Sequence, residues 1–398
     1  MVSATGVFGG FGAVEIFQAL RDGQPRTRAE LAALTGFSRG TVSARIDDFF
    51  TAGLISAVTD ATSTGGRPPA RVGLNAQARV VAAADFGATH AVVALIDLMG
   101  EVVVEHHELR SIADGPQQTL DWLIETVSRL LRKATRPVED LISIGLGLPG
   151  PVEHASGRPT NPPIMPGWDG YDVPGHLRRT FPVPVLVDND VNVMALGEMA
   201  KGHPDVAEML VVKVSTGIGS GIITGGRLQR GASGIAGDIG HISIPQGGDV
   251  VCRCGNTGCL EAVAGTPALI RAARAVGVEV SDQAELLAAA RAGDLRVMRV
   301  IRDAGRNIGH VLNMCVSIIN PALIVVGGSL AESNEVLLAG MREVVYARSM
   351  PLATQNLAIA PSRVGTLAGV IGAGIMAIDF ALAPERMEAD VNELAMDA

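Results

Sequence analysis

Apolar and polar positions divide the chain into stretches of different rhythm. Up to about residue 76 the apolar residues recur at helical spacing and then give way to a short hairpin. From about 78 to 380, apolar runs, glycine turns and amphipathic helices alternate. The last stretch, Ala383 to Ala398, is acidic and lacks an apolar period, so a frayed tail is expected there. Within the middle stretch, Leu120, Leu123, Ile124, Val127, Leu130 and Leu131 keep helical spacing and predict one amphipathic helix. Ala91 to Ile96 reads as a buried strand, with its turn at Asp97 to Gly100. Leu141 to Leu148 reads as another, stopped by Pro149-Gly150. Val183 to Val187 reads as a third, ending at Asp188-Asn189-Asp190. Strands and helices alternating through glycine turns indicate an α/β architecture. Two strand-then-glycine units, Val80 to Thr89 and Leu210 to Gly221, resemble each other loosely, without a short tandem repeat.

The length of 398 residues suggests two or three compact units, and a hydrophobic content of 47 % allows a sizeable core. No clean apolar run reaches the length of a membrane span. No basic region followed by an apolar core and cleavage site stands at the start, so a cytoplasmic location is the expectation. The net charge of −9 argues against a protein that coats nucleic acid indiscriminately, but leaves room for a local DNA-reading surface. Cys252, Cys254 and Cys259 cluster while Cys315 stands alone, a distribution that fits a metal site better than disulfides.

Residues 1–76 carry the first candidate function. Thr27 predicts a helix cap, with Glu30 completing a capping box. Leu31, Ala32 and Leu34 are expected on that helix's apolar side, and Gly36 permits a tight turn. Ser38 then caps a second helix with Val42, Ile46 and Phe49 inward. Its outward side offers Ser38, Arg39, Thr41, Ser43 and Arg45, side chains that reach base edges and phosphates in a major groove. Leu54 to Thr59 and Arg71 to Leu74 read as strands around Ser63-Thr-Gly-Gly-Arg67-Pro-Pro, a wing that would place Arg67 in a minor groove. The positive charges per chain are few, so a dimer reading a two-fold operator is expected, with a tetramer also open. A small helical bundle used for packing is the alternative for these residues.

Gly240-His241 precedes Cys252-Arg-Cys254-Gly-Asn-Thr-Gly-Cys259-Leu-Glu261. The imidazole and thiolates make a complete tetrahedral set for zinc. With every position filled by protein, no place remains for a catalytic water, so the expected role is structural. Buried free cysteines beside an unrelated histidine are the alternative.

These residues resemble the ROK family (repressors, open reading frames and kinases), and more narrowly its regulators with an added winged helix. The resemblance runs from about Thr27 to Ala377. It implies an actin-like ATPase (ribonuclease H-like) two-lobed sugar kinase fold behind an α+β winged helix–turn–helix domain. Expected bounds are 1–76 for the DNA-binding domain, 77–190 for the small lobe, 191–382 for the large lobe with the zinc loop, and 383–398 for the tail. By the resemblance, Asp85-Phe-Gly87-Ala-Thr89 is a turn near ATP phosphates, where Asp85 would help hold magnesium. Thr216, Gly217, Gly219 and Gly221 belong to a second phosphate turn, and Gly327-Gly328 to a turn beside the adenosine. Asn189 and Asp190 would grip a sugar or sugar phosphate, with Asp190 the base toward the reacting hydroxyl. Asp238, His241 and Glu261 would bind further hydroxyls, and Gly150 and Asn161 would border the cleft. His241 thus has two candidate roles.

Ala88 and His90 stand where family kinases carry Gly and then Lys or Asn, and Asp238 stands where they carry Glu. The leading expectation is a sugar-responsive transcriptional repressor of carbohydrate genes. An ATP-dependent hexose kinase using Mg-ATP is the enzyme alternative, and a purely protein-binding regulator is a third reading.

Overall fold

The computed structural model describes residues 10–58, 70–331 and 335–387. Arg67 and the wing tip lie outside them. The chain opens with α1 (Ala13–Gln18), β1 (Arg26–Thr27), α2 (Arg28–Thr35), α3 (Arg39–Thr51), β2 (Ile55–Val58) and β3 (Arg71–Leu74). The capping box forms as the sequence requires. The Glu30 amide donates to Thr27 Oγ1 at 3.1 Å, and the Thr27 amide to Glu30 Oε2 at 2.7 Å. Gly36 ends α2 at φ 75°, a left-handed conformation suited to glycine. Ser38 caps α3 through the Thr41 amide at 3.1 Å. Val42, Ile46 and Phe49 are buried, as their spacing predicts. Leu34 does not join them. It is 62 % exposed. β1, β3 and β2 close the head as one antiparallel sheet.

Next come β4 (Val80–Phe86), β5 (His90–Asp97), β6 (Val102–Leu109), α4 (Pro116–Lys133), β7 (Leu141–Leu148), the short pair β8 (Val152–Glu153) and β9 (Arg158–Pro159), α5 (Val173–Arg178) and β10 (Val185–Asn189). Helix α4 buries Leu120, Leu123, Val127, Leu130 and Leu131 against the sheet, the face its period predicts. Strand β10 starts two residues later than Val183, because Pro184 has no amide to donate to the ladder. The second lobe holds α6 (Asp190–Gly197), β11 (Met209–Val214), β12 (Ile218–Thr224), β13 (Arg227–Gln229), α7 (Leu260–Ala264), α8 (Thr266–Ala275), α9 (Gln283–Arg291), α10 (Leu295–Ile319), β14 (Leu323–Gly327), α11 (Glu335–Arg348), α12 (Pro351–Thr354), β15 (Ala358–Pro361) and α13 (Ala368–Ala381). No helix among the described residues is long and apolar enough to cross a membrane.

The sheets run β10-β7-β4-β5-β6 and β13-β12-β11-β14-β15. In each, the first strand in sequence is central. It pairs antiparallel with the next strand and parallel with the fourth. The loose likeness between Val80–Thr89 and Leu210–Gly221 is therefore the start of one topology used twice, the two-lobed arrangement expected of a sugar-kinase-like fold.

Helix α13 departs from the simple division at residue 190. It lies late in the chain but packs on β4 and β7 of the first lobe and along α6. A methyl group at Gly372 would collide with the Val193 carbonyl of α6, so the two helices touch backbone to backbone. Beyond α13, Met387 is buried among head residues, so the described start of the acidic tail is packed rather than frayed.

Candidate functional site

A cleft opens between the lobes where β10 ends and α6 begins. Its lining includes Gly150, Asn189, Asp190, Asp238, His241 and Glu261. Asn189 is the cap of α6. Its Oδ1 accepts the Val191 amide at 3.0 Å, and its Nδ2 donates to the Gly150 carbonyl at 3.0 Å. Asp190 follows at the first turn of α6. Glu261 enters from the first turn of α7 and accepts the Ile218 amide at 3.2 Å. Burial pushes the Glu261 carboxyl above its ordinary range. Asn161 stands apart, exposed at φ 45° with its amide on Asp169, while nearby Pro163 and Ile164 face the cleft.

The glycine turns divide. Gly87, Thr216, Gly217 and Gly219 line the same cleft as Asp190. Asp85 and Gly328 line an adjoining chamber with Met194 and Gly369. Gly221 and Gly327 instead make room for Ala195 and Met194 of α6. Thr89 is exposed, and its carbonyl accepts the Arg110 amide.

Two cations missed by the sequence reading reach these acids from the second lobe. Lys213 Nζ donates to Asp190 Oδ2 at 2.8 Å, with both side chains largely buried. Arg230 Nε donates to Asp188 Oδ2 at 2.6 Å, and Asp188 also accepts from Asn192 and the Asn189 amide. Acids at the end of β10 and the start of α6 are thus each held by a base carried on or beside the strands of the second sheet. Desolvation opposes the charged form of Lys213, but Asp190 and Asp85 outweigh it and raise its affinity for the proton. Asp85 is pushed up to about 6 by burial, partly offset by Lys213.

Beside the cleft, His241, Cys252, Cys254 and Cys259 bring their ligand atoms within 4.8 Å of one another. Cys254 Sγ and Cys259 Sγ are 3.7 Å apart, as are Cys252 Sγ and His241 Nδ1. A zinc tetrahedron with bonds of about 2.3 Å has sulfur–sulfur edges of roughly 3.8 Å, so the spacing fits. Gly255 and Gly258 turn the loop at φ 92° and 75°. Burial and the neighbouring thiols push Cys259 up to about 12. His241 meets both the cluster and the cleft.

On the head, Ser38 and Arg39 are exposed, and Thr41 and Ser43 partly so. Arg45 instead turns to Asp48, at 3.1 Å. The head grips the body through α1. Gln18 Nε2 donates to the Leu382 carbonyl at 2.6 Å, and Arg21 pairs with Asp379 at 2.7 Å.

A helix–turn–helix head on a doubled sheet with an acidic cleft defines a regulator built on a sugar-kinase-like body. The ROK family model matches residues 81–380, and the chain belongs to the ROK family. It is 29 % identical to the xylose repressor of Bacillus spizizenii, covering 90 % of this chain and 92 % of that one. A glucokinase of Halalkalibacterium halodurans is 31 % identical, over 73 % of this chain and 92 % of its own. The structure of a ROK family transcriptional regulator, a homologue of the E. coli MLC protein, superposes with a TM-score of 0.80 at 25 % identity, covering 97 % of this chain and all of that one. The kinase match thus leaves out more than a quarter of this chain. The repressor matches extend along nearly all of it, which places the chain among the family's regulators rather than its kinases.

Proposed function

We propose that the protein is a sugar-responsive repressor that binds an operator as a dimer through α3 and releases it when a sugar closes the lobes. Ser38, Arg39, Thr41 and Ser43 face the major groove. The sugar lies against Asn189, Asp190, Asp238, His241 and Glu261, beside Gly150. These carboxylates, the amide and the imidazole match the paired donors and acceptors of a polyol. The name of the Bacillus relative makes a pentose a first ligand to try.

His241, Cys252, Cys254 and Cys259 hold a zinc ion that, when bound, supplies a rigid knot rather than a reacting centre. The Glu261 amide donates to the Gly240 carbonyl at 2.9 Å, so the knot's two flanks, which carry His241 and Glu261, are fixed together. With Nδ1 nearest the thiolate, the other imidazole nitrogen is left for the sugar.

The observation that carries this reading is the double engagement of α13. It packs along α6, which begins at the sugar-facing Asp190, and the chain at its end holds the head through Asp379 and Leu382. A sugar moves the head only if it binds one lobe arrangement better than the other. The test is operator binding at fixed salt, with duplexes from the protein's own regulatory region and a panel of sugars. At least one sugar is expected to lower affinity, and Arg39→Ala to weaken binding by about tenfold or more. No retardation by any duplex, with Arg39→Ala indistinguishable from the parent, would reject the proposal.

A further inference from the structure

We propose that Lys213 is the cleft's resident cation, standing where magnesium-bound nucleotide would act, so that the pocket takes a neutral sugar and holds it unreacted. This rests on reading the cleft as a sugar pocket.

Lys213 lies on β11, the central strand of its sheet, and borders both the chamber of Asp190 and the adjoining chamber of Asp85. A phosphoryl group passing from a nucleotide in one to a hydroxyl in the other would have to cross the position of the ammonium. That ammonium is committed to Asp190 at 2.8 Å. For Asp190 to accept a hydroxyl proton, it would have to give up this buried ion pair. As a fixed acceptor it loses nothing, since the bond uses Oδ2 and leaves Oδ1 for a sugar hydroxyl.

Magnesium does not fit here. Its expected ligand, Asp85, is 6 % exposed and packed over the first turn of α13, where a Cβ at Gly369 would collide with its carboxylate. Asp85 Oδ1 has no hydrogen-bond partner among the described residues, and burial outweighs the attraction of Lys213 and disfavours the charged carboxylate that a cation would need. A divalent ion between Asp85 and Asp190 would meet the ammonium already there. At the first glycine turn the Gly87 amide is already committed to the His90 carbonyl at 2.9 Å, and the His90 ring lies where a Cβ on Gly87 would be.

The charge balance gives the ligand class. Among the lining side chains Asp190, Asp238 and Glu261 are acidic, against Lys213 and Arg253. With Lys213 spent on Asp190, a phosphate would face two further carboxylates and a single arginine. A neutral polyol meets no such penalty.

The experiment uses the full-length, zinc-loaded protein, with Lys213→Met and Lys213→Arg. Calorimetry with xylose, glucose, N-acetylglucosamine and the corresponding sugar phosphates reads ligand class. Electron paramagnetic resonance of manganese with AMP-PNP reads cation and nucleotide binding. The parent is expected to bind a neutral sugar at least about tenfold more tightly than its phosphate, and to leave the manganese–nucleotide spectrum unchanged. Lys213→Met, folded by circular dichroism, is expected to bind manganese near Asp85 and Asp190 and to lose about tenfold in sugar affinity. Lys213→Arg keeps both parent properties. Parent protein that binds manganese–AMP-PNP, or prefers the phosphate, overturns the inference. So does Lys213→Met with parent sugar affinity and no manganese signal. If Lys213→Met does not fold, the parent and Lys213→Arg arms still decide. Failure of every sugar to bind the parent, with manganese behaving as expected, strikes the sugar-pocket reading and leaves the cation assignment standing.

Discussion

Asn189 serves two structural purposes at once. It caps α6, and it ties that helix to the Gly150 turn across the cleft. Asn189→Ala removes both bonds and is expected to cost about 1–2 kcal/mol of stability, read as a lower urea midpoint. Asn189→Asp keeps the cap but turns a carboxylate toward the Gly150 carbonyl, so it should recover only part of that loss. Comparing the two separates the cap from the tether. Asn189, Asp190, His241 and Glu261 were legible in the sequence because they sit in short local patterns: a strand end, and a ligand-spaced loop. Lys213 was not, since one lysine inside Leu-Val-Val-Lys-Val gives no sign that its partner is an aspartate at another strand's end. Thr89 and Asn161 show the converse. Their residue types matched, but the backbone of an exposed turn decides where a side chain points, and here neither lines the cleft.

At the scale of elements, the cysteine loop proposed to hold zinc and α13 carry separate tests. Cys254→Ser removes a ligand of a cluster whose loop also supplies His241 and Glu261. The expected outcome is less than one zinc per chain by elemental analysis, a lower melting temperature and weaker sugar binding. Chelation of the parent should reproduce all of these changes, whereas a merely packed cysteine would leave sugar binding intact. Gly372→Val sets a branched side chain against the Val193 carbonyl, where no space exists. Overpacking of this kind costs about 1–3 kcal/mol, and thermal denaturation should show it. Helix α4 could be read from its period because one face is wet. Helix α13 is almost wholly buried. A helix apolar all round does not reveal which neighbours cover it, so its return to the first lobe was not legible. The doubled sheet order was visible only as two similar strand-and-glycine units, since strand pairing between distant segments leaves little local trace.

Across the whole molecule, the head shares one hydrophobic cluster with β4, β5, α6 and α13, and the polar contacts at the end of α13 are the part of that connection that single side chains can remove. Gln18 and Arg21 meet the chain at and just beyond the end of α13. Replacing both with alanine should leave operator affinity close to the parent's, because neither side chain faces DNA. The change in that affinity on adding sugar should shrink. Reciprocity supplies a second reading of the same quantity. If sugar weakens operator binding by some factor, operator must weaken sugar binding by that same factor. Sugar calorimetry with and without a saturating operator duplex should therefore match the shift seen in the DNA titration, in the parent and in the double variant alike. A double variant that keeps the parent's full factor would show that the signal does not depend on these two polar contacts. Unequal factors in the two titrations would mean that they report different binding events, such as a second sugar site or a change in assembly.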